Sequence, residues 1–175
     1  MGTNLFIETI GYVLPALVVF ITVYFMLSKY FENEQRRRMH EIKSESLKLT
    51  LPIRLQAYER LALLMERLTV NNLVLRVKRS GMSAQELQGG LLTEIRLEFE
   101  HNLSQQIYVT HETWQMVNNA KDELVRLINA SASTLVDGAD GLALTKTIFE
   151  MAMKMEIQPT YRALLYINKE AQELF

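Results

Sequence analysis

The spacing of apolar residues divides the chain near residue 29 and again near residue 52. Residues 9–28, TIGYVLPALVVFITVYFMLS, are twenty positions without a charge. Coiled at about 1.5 Å per residue, such a run covers about 30 Å, the thickness of a bilayer's hydrocarbon core. Pro15 would stop a helix interior in water but is tolerated in a membrane span. Tyr12, Tyr24 and Tyr30 lie toward the ends of the run, where aromatic rings favour the membrane–water interface. A cleaved secretory signal fits poorly. The preceding residues, MGTNLFIE, hold no Lys or Arg, and the run passes into Lys29-Tyr30-Phe31 without a small-residue cleavage site. The segment is expected to stay attached as a transmembrane helix.

Residues 29–51 carry six basic and four acidic side chains and few large apolar ones. Glu34 with Arg38, and Glu41, Glu45 and Lys48, have the spacing of three and four that supports an exposed helix, so a stalk continuing the anchor is expected. From Pro52 onward the apolar residues keep a helical period. Pro52 fits the first turn of a helix over 52–68, with Ile53, Ala57, Leu61, Leu64 and Leu68 on one side. A short segment over 73–79 follows, the one place where a strand could stand, though a helix is preferred. Ser83-Ala-Gln-Glu86 is a capping box that opens a long helix to about Val109, with Leu87, Leu91, Ile95, Phe99, Leu103 and Ile107 in a row. Gly89-Gly90 inside it implies a bend or a close helix crossing. Thr110 caps a helix over 111–133, Asp140 one running to about 157, and Pro159 opens a last one over 160–174. The apolar tail ending at Phe175 is expected to pack on the domain. No alternation with a period of two is long enough for a sheet, and no segment repeats at a fixed period. The expected fold is all-α: a short N-terminus (1–8), a transmembrane helix (9–28), a juxtamembrane stalk (29–51) and an antiparallel bundle-like domain of about five helices (52–175).

Charge adds an orientation. Lys29, Arg36, Arg37, Arg38, Lys43 and Lys48 follow the apolar run and no basic residue precedes it, so the positive-inside rule puts the C-terminal domain in the cytoplasm and the N-terminus outside. The cluster Lys29, Arg36, Arg37 and Arg38 could also touch anionic lipid headgroups, although a solvated flank is the plainer reading. The chain has 175 residues, 19 Lys and Arg against 20 Asp and Glu, and a net charge of −1. Beyond Pro52 the balance is 13 basic to 15 acidic, which argues against nucleic acid as a partner. The absence of cysteine excludes disulfides, Fe–S clusters, Cys-ligated zinc and thiol nucleophiles.

Catalytic patterns are missing. The sequence has no Gly-x-Ser-x-Gly elbow, no Ser-x-x-Lys with partner motifs and no Gly-rich phosphate loop. Helical di-iron bundles need two Glu-x-x-His motifs; here Glu98 and His101 form one, with Glu94 a turn earlier. These three are the candidate metal ligands, and an exposed acidic stripe is the simpler account. The turn Asp137-Gly-Ala-Asp140-Gly has the Asp-Gly pairs of a calcium loop but lacks its ligand series and closing Glu. Arg54, Tyr58, Trp114, Tyr161 and Tyr166 belong to the residue types that dominate binding hot spots and are the candidate protein-interface residues. A single Trp on an amphipathic helix is also a common core residue.

The blocks LPIRLQAYERL from Leu51, GMSAQEL from Gly81 and FEHNLSQQIY from Phe99 resemble those of an uncharacterised bacterial family. Its members carry one N-terminal membrane helix and a helical cytoplasmic domain of unknown function. The resemblance implies that architecture and an inner-membrane address, but no activity and no catalytic residue. The combined expectation is a non-enzymatic accessory subunit or adaptor without a cofactor or small-molecule substrate. Its partners would be proteins of a membrane assembly or further copies of itself. A metal-dependent bundle enzyme and an anionic-lipid-binding module are the alternatives.

Overall fold

The structure, a computed structural model, describes residues 2–174, with the side chains of residues 2–16, 40, 42–44 and 46–47 outside the description. The chain separates into two units, Met1–Thr50 and Leu51–Phe175, and helix α1 (Gly2–Arg67) contributes to both.

In the first unit the apolar side chains of residues 17–31 are exposed in every direction around the helix, Phe20 at 70% and Met26 at 75% among them. Up to Leu27 the one polar residue is Thr22, whose hydroxyl donates to the Val18 carbonyl at 2.8 Å; Ser28 and Lys29 follow. Among the described residues, no helix is long and apolar enough to cross a membrane. The expected span falls on this boundary. The side chains of residues 9–16 lie outside the description, and residues 17–28 alone cover about 18 Å of the required 30 Å. In the stalk, Glu32 takes Lys29 at 3.0 Å and Arg36 at 3.4 Å, Glu34 takes Arg38 at 2.9 Å, and Glu41 takes Arg37 at 3.1 Å. Each exposed pair contributes a few tenths of a kcal/mol to the helix.

In the second unit, the last turns of α1 are followed by α2 (Val70–Val77), α3 (Ala84–His101), a 3₁₀ turn (Leu103–Ile107), α4 (His111–Ser133), α5 (Gly141–Met153) and α6 (Pro159–Gln172). The described residues form no strand, so the unit is an all-helical bundle. Three helix starts follow from their own first turns. Ser83 and Glu86 close a capping box on α3, the Thr110 hydroxyl accepts from the Thr113 amide, and the Asp140 carboxylate accepts from the Ala143 amide.

The expected break at Pro52 is corrected. Helix α1 runs through it, without the amide that would have bonded to the Lys48 carbonyl. What begins at residue 51 is burial. Ala57, Tyr58, Leu61, Leu64, Met65 and Leu68 are all no more than 2% exposed, whereas the described side chains of residues 35–50 are exposed. Helix α3 also stops earlier than expected, at His101. The Asn102 side chain donates to the Glu98 carbonyl at 2.9 Å, capturing an acceptor the helix would have used, and the chain tightens into the 3₁₀ turn. The segment after α1 is a helix and not a strand, and it lies hard against α3. A Cβ added at Gly90 would stand 2.8 Å from the Val77 methyl, so the close crossing holds for Gly90, whereas a Cβ at Gly89 would meet nothing within 4 Å. Leu174 packs against the core, while Phe175 lies outside the described residues.

The core joins Leu61 and Leu64 of α1, and Leu68 just after it, to Leu87, Leu91 and Ile95 of α3, Leu124 and Ile128 of α4, and Leu144 and Ile148 of α5. Helix α6 adds Ala163 and Ile167. The loops before α3 and α5 also meet. The Ala84 amide donates to the Ala139 carbonyl at 3.0 Å and the Gly141 amide to the Met82 carbonyl at 2.8 Å, an antiparallel bridge between Ser83 and Asp140.

Candidate functional site

The most connected polar cluster in the bundle surrounds the Glu170 carboxylate on α6. The Tyr58 hydroxyl, from α1, donates to one of its oxygens at 2.8 Å, and the Thr113 hydroxyl, from α4, donates to the other. Arg54, one turn before Tyr58, donates to the tyrosine oxygen at 3.5 Å and to the Tyr108 carbonyl at 3.2 Å. Burial, followed by the hydrogen bond to Glu170, raises the Tyr58 hydroxyl above the ordinary tyrosine value. Desolvation and the carboxylates of Glu170, Glu112 and Glu173 push Tyr166 in the same direction. A phenol held in its protonated form donates a hydrogen bond and cannot serve as a base near neutral pH. The cluster therefore clasps α1, α4 and α6 together, and its geometry contains no activated nucleophile.

The expected interface residues separate accordingly. Tyr58 is 2% exposed and belongs to the core, which corrects its placement on a surface. Arg54 is half-buried within the clasp. Trp114 is also half-buried, its ring 5.3 Å from that of Phe99, while the Lys121 ammonium stands 4.5 Å from the Phe99 ring centre. Tyr161 is 55% exposed and stands one turn before the exposed Leu165 on α6, with Ile157 exposed in the connection that precedes the helix.

The candidate metal ligands are engaged elsewhere. Arg76 of α2 bonds Glu94 at 3.0 Å and Glu98 at 3.4 Å, and Arg67 bonds Glu98 at 2.5 Å. The expected exposed acidic stripe is thus a cross-helix ion network, with the Glu98 side chain only 11% exposed. His101 is exposed in the last turn of α3, and the described residues contain no group of three potential ligands placed to hold a metal ion. Lys29, Arg36, Arg37 and Arg38 are exposed as a headgroup site requires, but each already holds a glutamate of its own helix. The Glu32 carboxyl sits below its usual range, chiefly because of Lys29.

Thr113, Tyr108 and Glu170 carry no sequence signal for the clasp. Glu170 lies 112 residues from Tyr58, and no local spacing connects them. A groove of about 300 Å³ between α3 and α4 has Leu92, Ile95, Phe99 and Val125 as its apolar lining and Arg96, Glu100, Lys121 and Asp122 as its charged lining. Its paired opposite charges select no ligand sign.

No curated protein and no solved structure matches the chain. A model of a family of unknown function, DUF7935, does match, over residues 4–174 and hence over both units, and the chain belongs to that family.

Proposed function

We propose that this protein is a non-enzymatic adaptor or accessory subunit of a membrane assembly. Residues 9–28 anchor it in a bacterial cytoplasmic membrane, and its helical domain lies in the cytoplasm. The observation carrying this reading is the helix surface over residues 17–27, apolar but for Thr22 and exposed on all sides. A helix without a polar face is stable only when surrounded by lipid or other apolar groups. The eight uncharged residues before it, 9–16, supply the remaining length in the sequence. Basic residues flank the run only on its C-terminal side, which supports the orientation. The adaptor reading is supported by a domain whose main polar groups bond one another, while Tyr161, Ile157 and Leu165 stay open for a partner.

Reporter fusions after Phe175 test the placement. A fluorescent protein that matures only in the cytoplasm should light up, and a phosphatase active only outside should stay silent. Neutralising Lys29, Arg36, Arg37 and Arg38 together should weaken that preference. Release of the full chain by alkaline carbonate would refute the anchor, and an active external phosphatase would refute the orientation. Crosslinking in mild detergent followed by mass spectrometry tests the adaptor reading, which a monodisperse lone monomer would overturn.

A further inference from the structure

The two loops that meet across the bridge also follow one short pattern, a polar residue, glycine, an apolar residue and a capping Ser or Asp, too brief to register as a repeat in the sequence alone. Ser80-Gly-Met-Ser83-Ala84 leads into α3 and Asp137-Gly-Ala-Asp140-Gly141 into α5, each ending on the first residue of its helix. Each has its glycine in the left-handed region two residues before the capping side chain, Gly81 at φ 81° and Gly138 at φ 82°. Counting on from the caps, Leu87 matches Leu144 and Leu91 matches Ile148, all at 1% exposure or less. The main-chain bonds share this correspondence. Exchanging residue 84 with 141 and 82 with 139 turns the Ala84-to-Ala139 bond into the Gly141-to-Met82 bond.

A calcium loop of twelve residues turns on a glycine at its sixth position, binds the cation through the seventh carbonyl and closes with a glutamate at the twelfth. With Gly81 and Gly138 as the sixth positions, the twelfth are Leu87 and Leu144, both fully buried in the core. The seventh carbonyls belong to Met82 and Ala139, and each accepts the opposite loop's amide. The first, third and fifth positions hold Arg76, Lys78 and Ser80 in one loop and Ser133, Leu135 and Asp137 in the other, so a single carboxylate stands where a cation needs several.

We infer that α2–α3 and α4–α5 are two copies of one helix–loop–helix unit, each loop fixed by the other's backbone where a calcium loop is fixed by its cation. This end of the domain therefore keeps one shape whatever the divalent-cation level, and the two loops open together or not at all. Gly141 is part of the device. A Cβ there would stand 2.9 Å from the Met82 carbonyl oxygen, too close for any other residue.

Amide hydrogen exchange on the full chain in detergent tests the inference. The Ala84 and Gly141 amides should show protection within about threefold of each other, unchanged by millimolar calcium or by EDTA. Gly138→Ala, whose added methyl meets nothing within 4 Å, strains only the second loop's backbone. It should nevertheless reduce protection at both amides, and Gly81→Ala should do the same. Each should lower Tm by about 3–8 °C. If an alanine variant fails to fold, Gly138→Asn and Gly81→Asn, which tolerate positive φ, give the same readout with smaller losses. Loss confined to the mutated loop overturns the inference, as does a Tm or protection that rises with calcium.

Discussion

Replacing Tyr58 by phenylalanine removes one oxygen from the bundle and leaves its shape unchanged. The lost hydroxyl donates to a carboxylate, and hydrogen bonds to charged partners contribute about 1.5–3 kcal/mol. Glu170 keeps its bond from Thr113 and is partly solvated, which favours the lower end, so the expected loss is about 1.5 kcal/mol, or about 3–9 °C in Tm. Pairing Tyr58→Phe with Glu170→Gln in a double-mutant cycle should show about 1 kcal/mol of interaction. The lone Trp114, packed against Phe99 in the bundle, gives a fluorescence signal for urea unfolding of the full chain in detergent. The pH dependence has a definite sign. A tyrosine raised above 10.0 in the folded state keeps its proton after the unfolded chain has lost its own. Its contribution is complete below about pH 10 and declines as pH rises through the folded value. Tyr58→Phe should therefore flatten part of the stability loss above pH 10, leaving the part due to Tyr166. A variant as stable as wild type at pH 7, or one with an unchanged alkaline slope, would refute the clasp.

Removing Arg76 leaves Glu94 and the largely covered Glu98 without their shared cation, so Arg76→Met should cost about 1–2 kcal/mol by urea unfolding. Double substitution with Glu94→Gln should recover part of that loss. Ser83→Ala breaks the α3 capping box and should cost about 1 kcal/mol by the same assay. Bonds from Ser83 hold the Glu86 carboxyl below 4.5, so its contribution is present above that value and fades as pH falls through the folded one. The main-chain amide of Ser83 is the larger cause, so the gap between wild type and Glu86→Gln should narrow below pH 4.5, and a constant gap would refute the Glu86 assignment.

The starts of α3, α4, α5 and α6 follow from the sequence alone because Ser83, Thr110, Asp140 and Pro159 act within one turn of their own positions. The helical period of Leu61, Leu64 and Leu68 and of Leu87, Leu91 and Ile95 likewise fixed which residues would be buried, since one apolar face per helix must leave water. Tertiary structure decided the rest. Pro52 reads as a helix start, but packing downstream outweighs one missing hydrogen bond, so it marks only where burial begins. Glu94 and Glu98 have the spacing of metal ligands, yet a guanidinium from α2 reaches them first. Tyr58, a surface anchor by residue type, became a core donor because chain closure brought Glu170 to it across 112 residues. The pairing of the two loops was equally hidden, since its bonds run between main-chain atoms that every residue carries, and only the fold selects which of them meet.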